Sequence, residues 1–456
     1  MTDDITTSNN HNSVSVDYKH CLYDNKIKPV LVGRVILEKF RDRYNFVITK
    51  GDKEIWRYNG DGYYIKDGEQ FILNQVQNIL NYHCNSHIKN ETISYIKDLG
   101  DIQVSYDDFN SRSDLINLNN GVYDLGTGEF KEHDYNYLFT GKLPITYNPK
   151  ADCPKIKKFL NEVLRQEDIP IIQELAGYIL LKNYKFHKAF MFIGSGRNGK
   201  STLINLLSKF VGKENVSDID LQSLDSNRFS IINLYGKLIN AHSEISNRAL
   251  RNTGFFKQLV GQDSISADRK FLEPISFTNY AKLIFSCNEL PKSYDDTFAF
   301  YSRWIILEFD NIFEGNKCNP NLLQELSTEK EISGFFNWAI EGLNRLLSNG
   351  RFSHSKSTEQ VKEEWIKHSH PVLVFINNYI DINPEYEVSK DELYNAYKEF
   401  CDKLDIDPIA KNMFSREIGR HIKKVEGKRR KVDNRFIKFW QGIGLRNVDL
   451  EDYPIK

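Results

Sequence analysis

Apolar runs alternate with amphipathic segments through the middle of the chain. The run from Ala189 to Ile193 (AFMFI) has the length of a buried strand, and the apolar residues from Ser201 to Val211 have helical spacing. Three further apolar runs, KLINA, KLIFSC and WIILEF, follow, with the helical segment NTGFFKQLV among them. Strands that alternate with helices form parallel sheets with covered faces, so the pattern predicts an α/β fold with a mainly parallel sheet.

The flanking segments have other patterns. An amphipathic helix, short β-type runs and two helical stretches precede the alternation, and the chain after Phe313 is helical before it becomes basic. The predicted divisions are a disordered tail over 1–16, an α+β leader over 17–112, a helical domain over 113–184, the α/β core over 185–313, a helical bundle or lid over 314–370 and a small basic domain over 371–456.

The composition of the 456 residues is that of a globular protein. Hydrophobic residues make up 40% and charged residues 27%, and the apolar runs are far shorter than the roughly 20 residues of a membrane span. The polar start lacks the apolar segment of a secretory signal. The six cysteines include no C-x-x-C pair, so we expect neither a zinc site nor a redox dithiol, and a cytoplasmic location fits.

A glycine-rich loop follows the first strand of the core. The segment GSGRNGKS fits the pattern G-x-x-x-x-G-K-[ST], with a strand before it and a helix after it, which predicts phosphate binding; a chance match in a glycine turn is the alternative. In such loops backbone N–H groups and the helix N-terminus surround the phosphates, the lysine reaches the β and γ phosphates, and the serine hydroxyl ligates Mg²⁺. The residues expected to bind ATP are Gly194, Ser195, Gly196, Arg197, Asn198, Gly199, Lys200, Ser201 and Thr202. We expect Lys200 to be a cation on a surface loop.

Three polar residues near later strands complete a candidate ATPase site. Glu244 follows KLINA and is expected to serve as the catalytic carboxylate and a metal ligand beside Ser201, although Ser243 stands where many such proteins have an aspartate. Asn288 follows KLIFSC and can bond the γ-phosphate or the attacking water. Arg303 precedes WIILEF and can act as an arginine finger. The alternatives are a solvated glutamate and a turn-forming asparagine.

The net charge of −1 conceals a basic C-terminal module. From Lys411 to Trp440 there are eleven Lys or Arg against three acidic residues. Three helical patterns and the ribbon KRRKVDNRFIKFW predict a winged-helix-like domain with SREIGRHIKK as its recognition helix, and the aromatics among the cations favour nucleic acid over a solvated basic face. The expected DNA contacts here are Arg416, Arg420, Lys423, Lys424, Lys428, Arg429 and Arg430.

The order of motifs GSGRNGKS, SE, GQDSISADRKFLEPISF, FSCNELP and YSRWIILEF resembles the superfamily 3 helicases of the poxvirus and phage or plasmid primase type. The resemblance runs from about Ser113 to Phe313 and implies a P-loop ATPase core of AAA+ type. It also implies a hexameric ring on single-stranded DNA with Arg303 acting on a neighbour's ATP, and a pore hairpin that contacts DNA through Arg269, Lys270 and Phe271.

The function expected from these features is an ATP- and Mg²⁺-dependent DNA helicase in the replication of a virus, plasmid or other mobile element. The expected partners are single-stranded and duplex DNA, other copies of the chain, and a separate primase or polymerase, because the leader has no paired-carboxylate signature of a primase. Two alternatives stay open: an origin-binding initiator that uses ATP as a switch, and a P-loop kinase acting on a small molecule.

Overall fold

The computed structural model describes residues 18–40, 45–226, 228–245, 248–250, 253–269, 272–315, 319–369, 371–403, 408–422, 425–432 and 435–446. The side chains of 225, 226, 228, 229, 268, 269, 272, 273, 432 and 435 are not among the described parts. The chain divides into two compact units between Tyr147 and Asn148. No helix in the described ranges is long and apolar enough to cross a membrane.

The first unit is built from small sheets and three helices. Its strands are β1 (Leu22–Tyr23), β2 (Lys26–Ile27), β3 (Phe46–Thr49), β4 (Ile55–Tyr58), β5 (Tyr64–Ile65), β6 (Gln103–Val104), β7 (Leu115–Leu118), β8 (Gly121–Asp124) and β9 (Phe130–Lys131), and its helices are α1 (Pro29–Phe40), α2 (Gly68–Leu80) and α3 (Ser86–Lys97). One sheet has the order β5-β4-β3-β6 and another β7-β8-β9. Apolar residues of the helices pack on β3 and β4, with Val32, Ile48, Ile72 and Val76 at the centre of the core.

The second unit contains the alternating region. Its strands are β10 (Ala189–Ile193), β11 (Val216–Ser217), β12 (Ile239–His242), β13 (Ser264–Arg269), β14 (Leu272–Thr278), β15 (Lys282–Cys287), β16 (Trp304–Glu308), β17 (Ile380–Ser389), β18 (Glu426–Val432) and β19 (Arg435–Leu445). Its helices are α4 (Pro154–Val163), α5 (Ile169–Ile179), α6 (Lys200–Val211), α7 (Leu221–Ser226), α8 (Arg228–Ile231), α9 (Gly254–Gly261), α10 (Phe298–Tyr301), α11 (Leu322–Leu326), α12 (Glu329–Asn349), α13 (Thr358–Ser369), α14 (Pro371–Tyr379), α15 (Lys390–Lys403) and α16 (Lys411–His421).

A five-stranded parallel sheet with the order β11-β12-β15-β10-β16 forms the centre of this unit. The three central strands consist largely of buried apolar residues, as expected for a parallel sheet that is covered on both faces. The predicted α/β fold with a parallel sheet is therefore confirmed. β13 and β14 form a separate antiparallel hairpin that is inserted between α9 and β15.

Helices α5 and α12 pack against each other at two glycines. A Cβ atom at Gly177 would lie 2.4 Å from the carbonyl oxygen of Ala339, and one at Gly342 would lie 2.4 Å from that of Gln173. Glycine at both positions thus allows the two backbones to approach closely. The helical segment expected over 113–184 is divided by the structure, because its first part forms β7 to β9 of the first unit and its second part forms α4 and α5 of the second.

The C-terminal module has a core of its own. Side chains of α14, α15 and α16 pack on a sheet of order β17-β19-β18, with Phe375, Tyr397, Phe414 and Trp440 among the buried residues. The three expected helices and the β18–β19 ribbon are present. The strand β17 was not expected from the sequence, and it pairs with β19 along the side that faces away from β18.

Candidate functional site

The glycine-rich loop lies between the carboxyl end of β10 and the start of α6. Gly196 and Gly199 have φ angles of 110° and 92°, a region that residues with side chains rarely adopt. A Cβ atom at Gly199 would also lie 2.6 Å from Cγ1 of Val163. Gly199 immediately precedes the first residue of α6, so the N-terminal N–H groups of this helix face the loop.

Lys200 is buried, with 5% of its surface exposed, and is not the surface cation expected from the sequence. Its Nζ donates hydrogen bonds to the carbonyl oxygen of Gly194 at 2.6 Å and to Oδ1 of Asn198 at 3.0 Å. Burial lowers the pKa of Lys200, against the opposing effects of Cys287 and Glu244. The ammonium group is thus held inside the curve of the loop.

Neighbouring segments hold the loop in place. Asn198 is buried, and its Nδ2 donates a hydrogen bond to the carbonyl oxygen of Phe309 at 3.1 Å. The backbone N–H of Phe313 donates to the carbonyl oxygen of Arg197 at 2.9 Å, and that of Gly194 donates to Cys287 at 3.3 Å. In contrast, Ser195, Arg197 and Ser201 are exposed. The conformation of the loop is therefore set by β15 and by the segment after β16.

Glu244 lies two residues after β12 and is exposed. Its φ angle is 68°, a conformation that is uncommon for a residue with a side chain and that is often found at functional sites. The N–H of Ile245 donates to the carbonyl oxygen of Ser286 at 2.9 Å, which fixes this turn on β15. Nearby, His242 Nδ1 contacts Asp218 Oδ1 at 2.5 Å, so a second carboxylate lies at the same end of the sheet.

The sheet order brings three of the predicted catalytic residues, Lys200, Glu244 and Asn288, to the carboxyl ends of neighbouring strands. β15 lies between β10 and β12, and Cys287 pairs with Ile193 while Phe285 pairs with His242. Asn288, which directly follows Cys287 and is exposed, therefore lies between the glycine-rich loop and the turn of Glu244. Carboxyl ends of parallel strands are a common place for ligands to bind.

Arg303 lies at the amino ends of the parallel strands, opposite the carboxyl ends where the glycine-rich loop lies. Its carbonyl oxygen accepts a hydrogen bond from the N–H of Ala189, the first residue of β10, at 2.7 Å, whereas the loop follows the last residue. At about 3.3 Å per residue, the five residues of β10 separate the two places by roughly 16 Å. The guanidinium group donates to the carbonyl of Ala299. Burial lowers the pKa of Arg303, against the effects of Asp263 and Asp295. The structure does not bring Arg303 to the loop of its own chain.

The predicted DNA contacts lie in two regions, the β13–β14 hairpin and the C-terminal module. Arg269 ends β13 and pairs with Leu272 at the tip of the hairpin, while Lys270 and Phe271 lie outside the described residues. In the C-terminal module, Arg416 and Arg420 are exposed on α16, and Lys428, Arg429 and Arg430 are exposed on β18. Lys423 and Lys424 lie outside the described residues.

One side-chain cluster was not expected from the sequence. Glu308, Glu364 and His368 place ligand-type atoms within 4.8 Å of one another. His368 and Arg165 hold the pKa of Glu308 well below its usual range, against the effect of burial. Arg165 Nη2 contacts Glu308 at 2.5 Å, and Lys356 Nζ contacts both oxygens of Glu364 at 2.7 and 2.8 Å. Because each carboxylate already has a cationic partner, we interpret the cluster as an ion-pair network that joins α13 to β16.

This network predicts a pH effect on stability. Burial and the charge of Glu308 raise the pKa of Glu364 to about 7, against the effect of Lys356. The folded state therefore takes up a proton more readily than the unfolded state, and the stabilisation present below about pH 4 is lost as the pH rises through 7. Glu364→Gln should remove this loss, which we expect to be about 1–2 kcal/mol between pH 5 and pH 8.

Thermal unfolding at pH 5 and pH 8 checks this expectation, with Glu363→Gln as the control because Glu363 is the exposed neighbour on the same helix. The melting temperature of Glu364→Gln should decrease less between the two pH values than that of the native protein. Destabilisation of Glu364→Gln by the same amount at both pH values would show that Glu364 is ionised at both and that Lys356 depends on it as an ion-pair partner.

Profiles of three known families match separate parts of the chain. A family described as D5 N terminal like matches residues 34–165, a family of unknown function matches 192–303, and a family described as poxvirus D5 protein-like matches 367–451. In the sequence, the two D5 families thus match before and after the segment that forms the parallel sheet. Two segments of the chain are thus similar to D5-type proteins.

Individual relatives of the chain are distant. A protein of Acanthamoeba polyphaga mimivirus, provisionally named helicase L207/L206, is 25% identical over 318 residues, which are 66% of this chain and 31% of the relative. The chain thus spans about a third of the length of that protein. The apo A form of the NrS-1 C-terminal region has a TM-score of 0.48 and 15% identity, covering 92% of this chain and 100% of that one. A second apo structure, of NrS-1 residues 305–718, has a TM-score of 0.43 and 15% identity, covering 91% and 99%.

Proposed function

We propose that this chain is an ATP-dependent DNA helicase in the replication of a virus or another mobile element. The observation that carries the proposal is the convergence of Lys200, Glu244 and Asn288 around the glycine-rich loop at one edge of the parallel sheet. A cation, a carboxylate and an amide beside a loop of backbone N–H groups are the parts that ATP hydrolysis needs. The family match and the helicase name of the mimivirus relative support the same class of activity.

Each residue has a role in this proposal. The loop from Gly194 to Thr202 holds the phosphates of ATP, with Lys200 on the β and γ phosphates. The hydroxyl of Ser201, exposed in the first turn of α6, and the carboxylate of Glu244 are oxygen ligands of the kind that Mg²⁺ prefers. When bound, Mg²⁺ neutralises charge on the phosphate oxygens. Glu244 accepts a proton from the attacking water, and Asn288 orients that water.

The finer parts of the proposal concern assembly and DNA. The sheet and loop are taken as a P-loop core of AAA+ type in a hexameric ring that moves on single-stranded DNA, with Arg303 acting on the ATP of a neighbouring subunit. The hairpin β13–β14 contacts the strand in the pore, and the C-terminal module is a winged-helix-like DNA-binding domain. A separate primase or polymerase is the expected partner.

A comparison of ATP turnover in the native protein and Glu244→Gln tests the proposed chemistry. Single-stranded DNA should stimulate turnover by the native protein, and a forked duplex should be unwound. Glu244→Gln should bind ATP but lose turnover by about a hundredfold or more, because an amide cannot accept the proton.

Glu289→Gln is the matched control, since Glu289 is exposed beside Asn288 but follows a different strand from Glu244. Near-native hydrolysis by Glu244→Gln would move the catalytic role to another carboxylate, of which Asp218 is the nearest candidate by position. ATP turnover that single-stranded DNA does not stimulate would favour the small-molecule kinase. DNA-stimulated turnover without unwinding would favour the origin-binding initiator.

A further inference from the structure

One face of the β18–β19 ribbon carries exposed cations around an exposed aromatic ring. Cross-strand partners point to the same side of a sheet, and the pairs on this side are Gly427 with Trp440, Arg429 with Lys438, and Lys431 with Phe436. Arg429, Lys431 and Lys438 are all exposed. We call these three cations and Phe436 the ribbon face.

Phe436 is the most exposed aromatic residue among the described residues of the module. It is 63% exposed, whereas Trp440, on the same side of the ribbon, is 7% exposed and belongs to the core. The guanidinium group of Arg429 lies 4.3 Å from the centroid of the Phe436 ring. This contact holds the ring on the surface while leaving most of it open, although an apolar ring gains free energy by being covered.

The charge of the ribbon face is not neutralised within the part of the chain that the structure describes. There, Arg429, Lys431 and Lys438 have no carboxylate within ion-pair distance, whereas Arg430 on the other side of the ribbon pairs with Glu387. On α16, Lys411 pairs with Asp391 and Arg420 with Glu417. The ribbon face therefore carries three positive charges that have no counter-ion among the described residues.

Lys390 extends the same positive surface towards the core. Its Nζ lies 3.4 Å from the centroid of the Trp440 ring, and a Cβ atom at Gly427 would lie 3.3 Å from the same Nζ. Burial and the nearby charge of Lys438 lower the pKa of Lys390. Like charges placed close together without a counter-ion are unfavourable in the free protein, and a polyanion would relieve this repulsion.

We propose that the ribbon face binds single-stranded nucleic acid, with one unpaired base stacked on Phe436 and the flanking phosphates on Arg429, Lys431 and Lys438. The inference deepens the proposed DNA-binding role of the module and rests on it. Alternating cations with an open aromatic ring are what single-strand binding requires, because every base has a flat face and every linkage a negative charge. Bases within an intact duplex do not offer that face.

The stacking part is tested with the full chain without nucleotide, by fluorescence anisotropy on a labelled oligothymidine strand and on the same strand with abasic sites. Phe436→Leu should weaken binding of the oligothymidine about tenfold, since it removes the stacking of one base, and leave the abasic strand unaffected. Phe439→Leu is the matched control, because Phe439 lies on the other side of the ribbon and is only partly exposed.

The charge part is tested on the same two strands. Lys431→Ala should weaken both and reduce the slope of log affinity against log salt by about 0.7, the value for one phosphate of a single strand. Lys398→Ala, which removes an exposed lysine from α15, should leave the slope unchanged. A Phe436→Leu protein that binds oligothymidine as tightly as the native protein, or one that loses equal affinity for the abasic strand, overturns the inference.

A crosslinking measurement on the native protein tests the inference without a variant that could misfold. A strand with 5-iodouracil should crosslink on irradiation to the peptide that contains Phe436, and a crosslink map without this peptide would refute the inference. ATP turnover of the native protein is measured separately. Turnover with no crosslink at Phe436 defeats the ribbon inference alone, and a crosslink without turnover defeats the proposed helicase alone.

Discussion

The Lys200→Ala protein should lose ATP hydrolysis by about a hundredfold or more while it keeps its fold. The Nζ of Lys200 lies within 3.0 Å of both Gly194 and Asn198, so its positive charge is placed where the loop would hold phosphate. Loss of the side chain leaves two acceptors without a donor but also removes a cation that burial disfavours. The melting temperature should therefore change little.

Steady-state phosphate release and thermal unfolding, measured on the same preparation, check both parts of this expectation. Lys209→Ala is the control, because Lys209 is an exposed lysine in the last turn of the same helix. A Lys200→Ala protein that hydrolyses ATP at the native rate, or one that is unfolded at the assay temperature, would contradict the proposed role of the loop.

Two inactive variants should restore each other if Arg303 acts on the ATP of a neighbouring subunit. Arg303 lies at the start of β16, away from the loop of its own chain, so any contact with ATP would have to be made at a site on another chain. Arg303→Ala should bind ATP and hydrolyse little, and Lys200→Ala should have the reverse defect. In a mixed ring about a quarter of the interfaces would pair an intact loop with an intact Arg303, and turnover should recover to about that fraction.

The control mixture combines Lys200→Ala with Glu244→Gln. Both changes lie at the same edge of one subunit, so every interface in this mixture carries one defect and no recovery is expected. Light scattering must show that mixed oligomers form in both cases. Mixed oligomers of Arg303→Ala and Lys200→Ala without turnover would mean that Arg303 serves only to hold the start of β16 beside Ala189.

Local sequence patterns were sufficient to predict the parallel sheet and which residues follow each strand. The runs AFMFI, KLINA, KLIFSC and WIILEF contain enough apolar residues in succession to indicate buried strands. Residues that follow parallel strands must lie at one edge, so the proximity of Lys200, Glu244 and Asn288 follows from the sheet. The positions of these residues therefore needed no long-range information.

Features that depend on distant contacts were not predictable. β17 has a mostly polar sequence, IDINPEYEVS, and forms because β19 offers it a hydrogen-bonding partner about sixty residues later. Glu308 and Glu364 are equally remote in sequence, and no local pattern joins them. Lys200 is buried because the loop folds against Phe309 and Val163, neither of which its own motif contains.

The two ends of β16 adjoin two different functional candidates, Arg303 and the glycine-rich loop. Arg303 directly precedes the strand, and Phe309, whose carbonyl oxygen holds Asn198 of the glycine-rich loop, directly follows it. The five residues between them are largely buried and hydrogen-bonded to β10 in unbroken register. In an assembly where Arg303 meets a neighbour's phosphate, the same strand would therefore join the contact with one nucleotide to the carbonyl group that positions the loop for another.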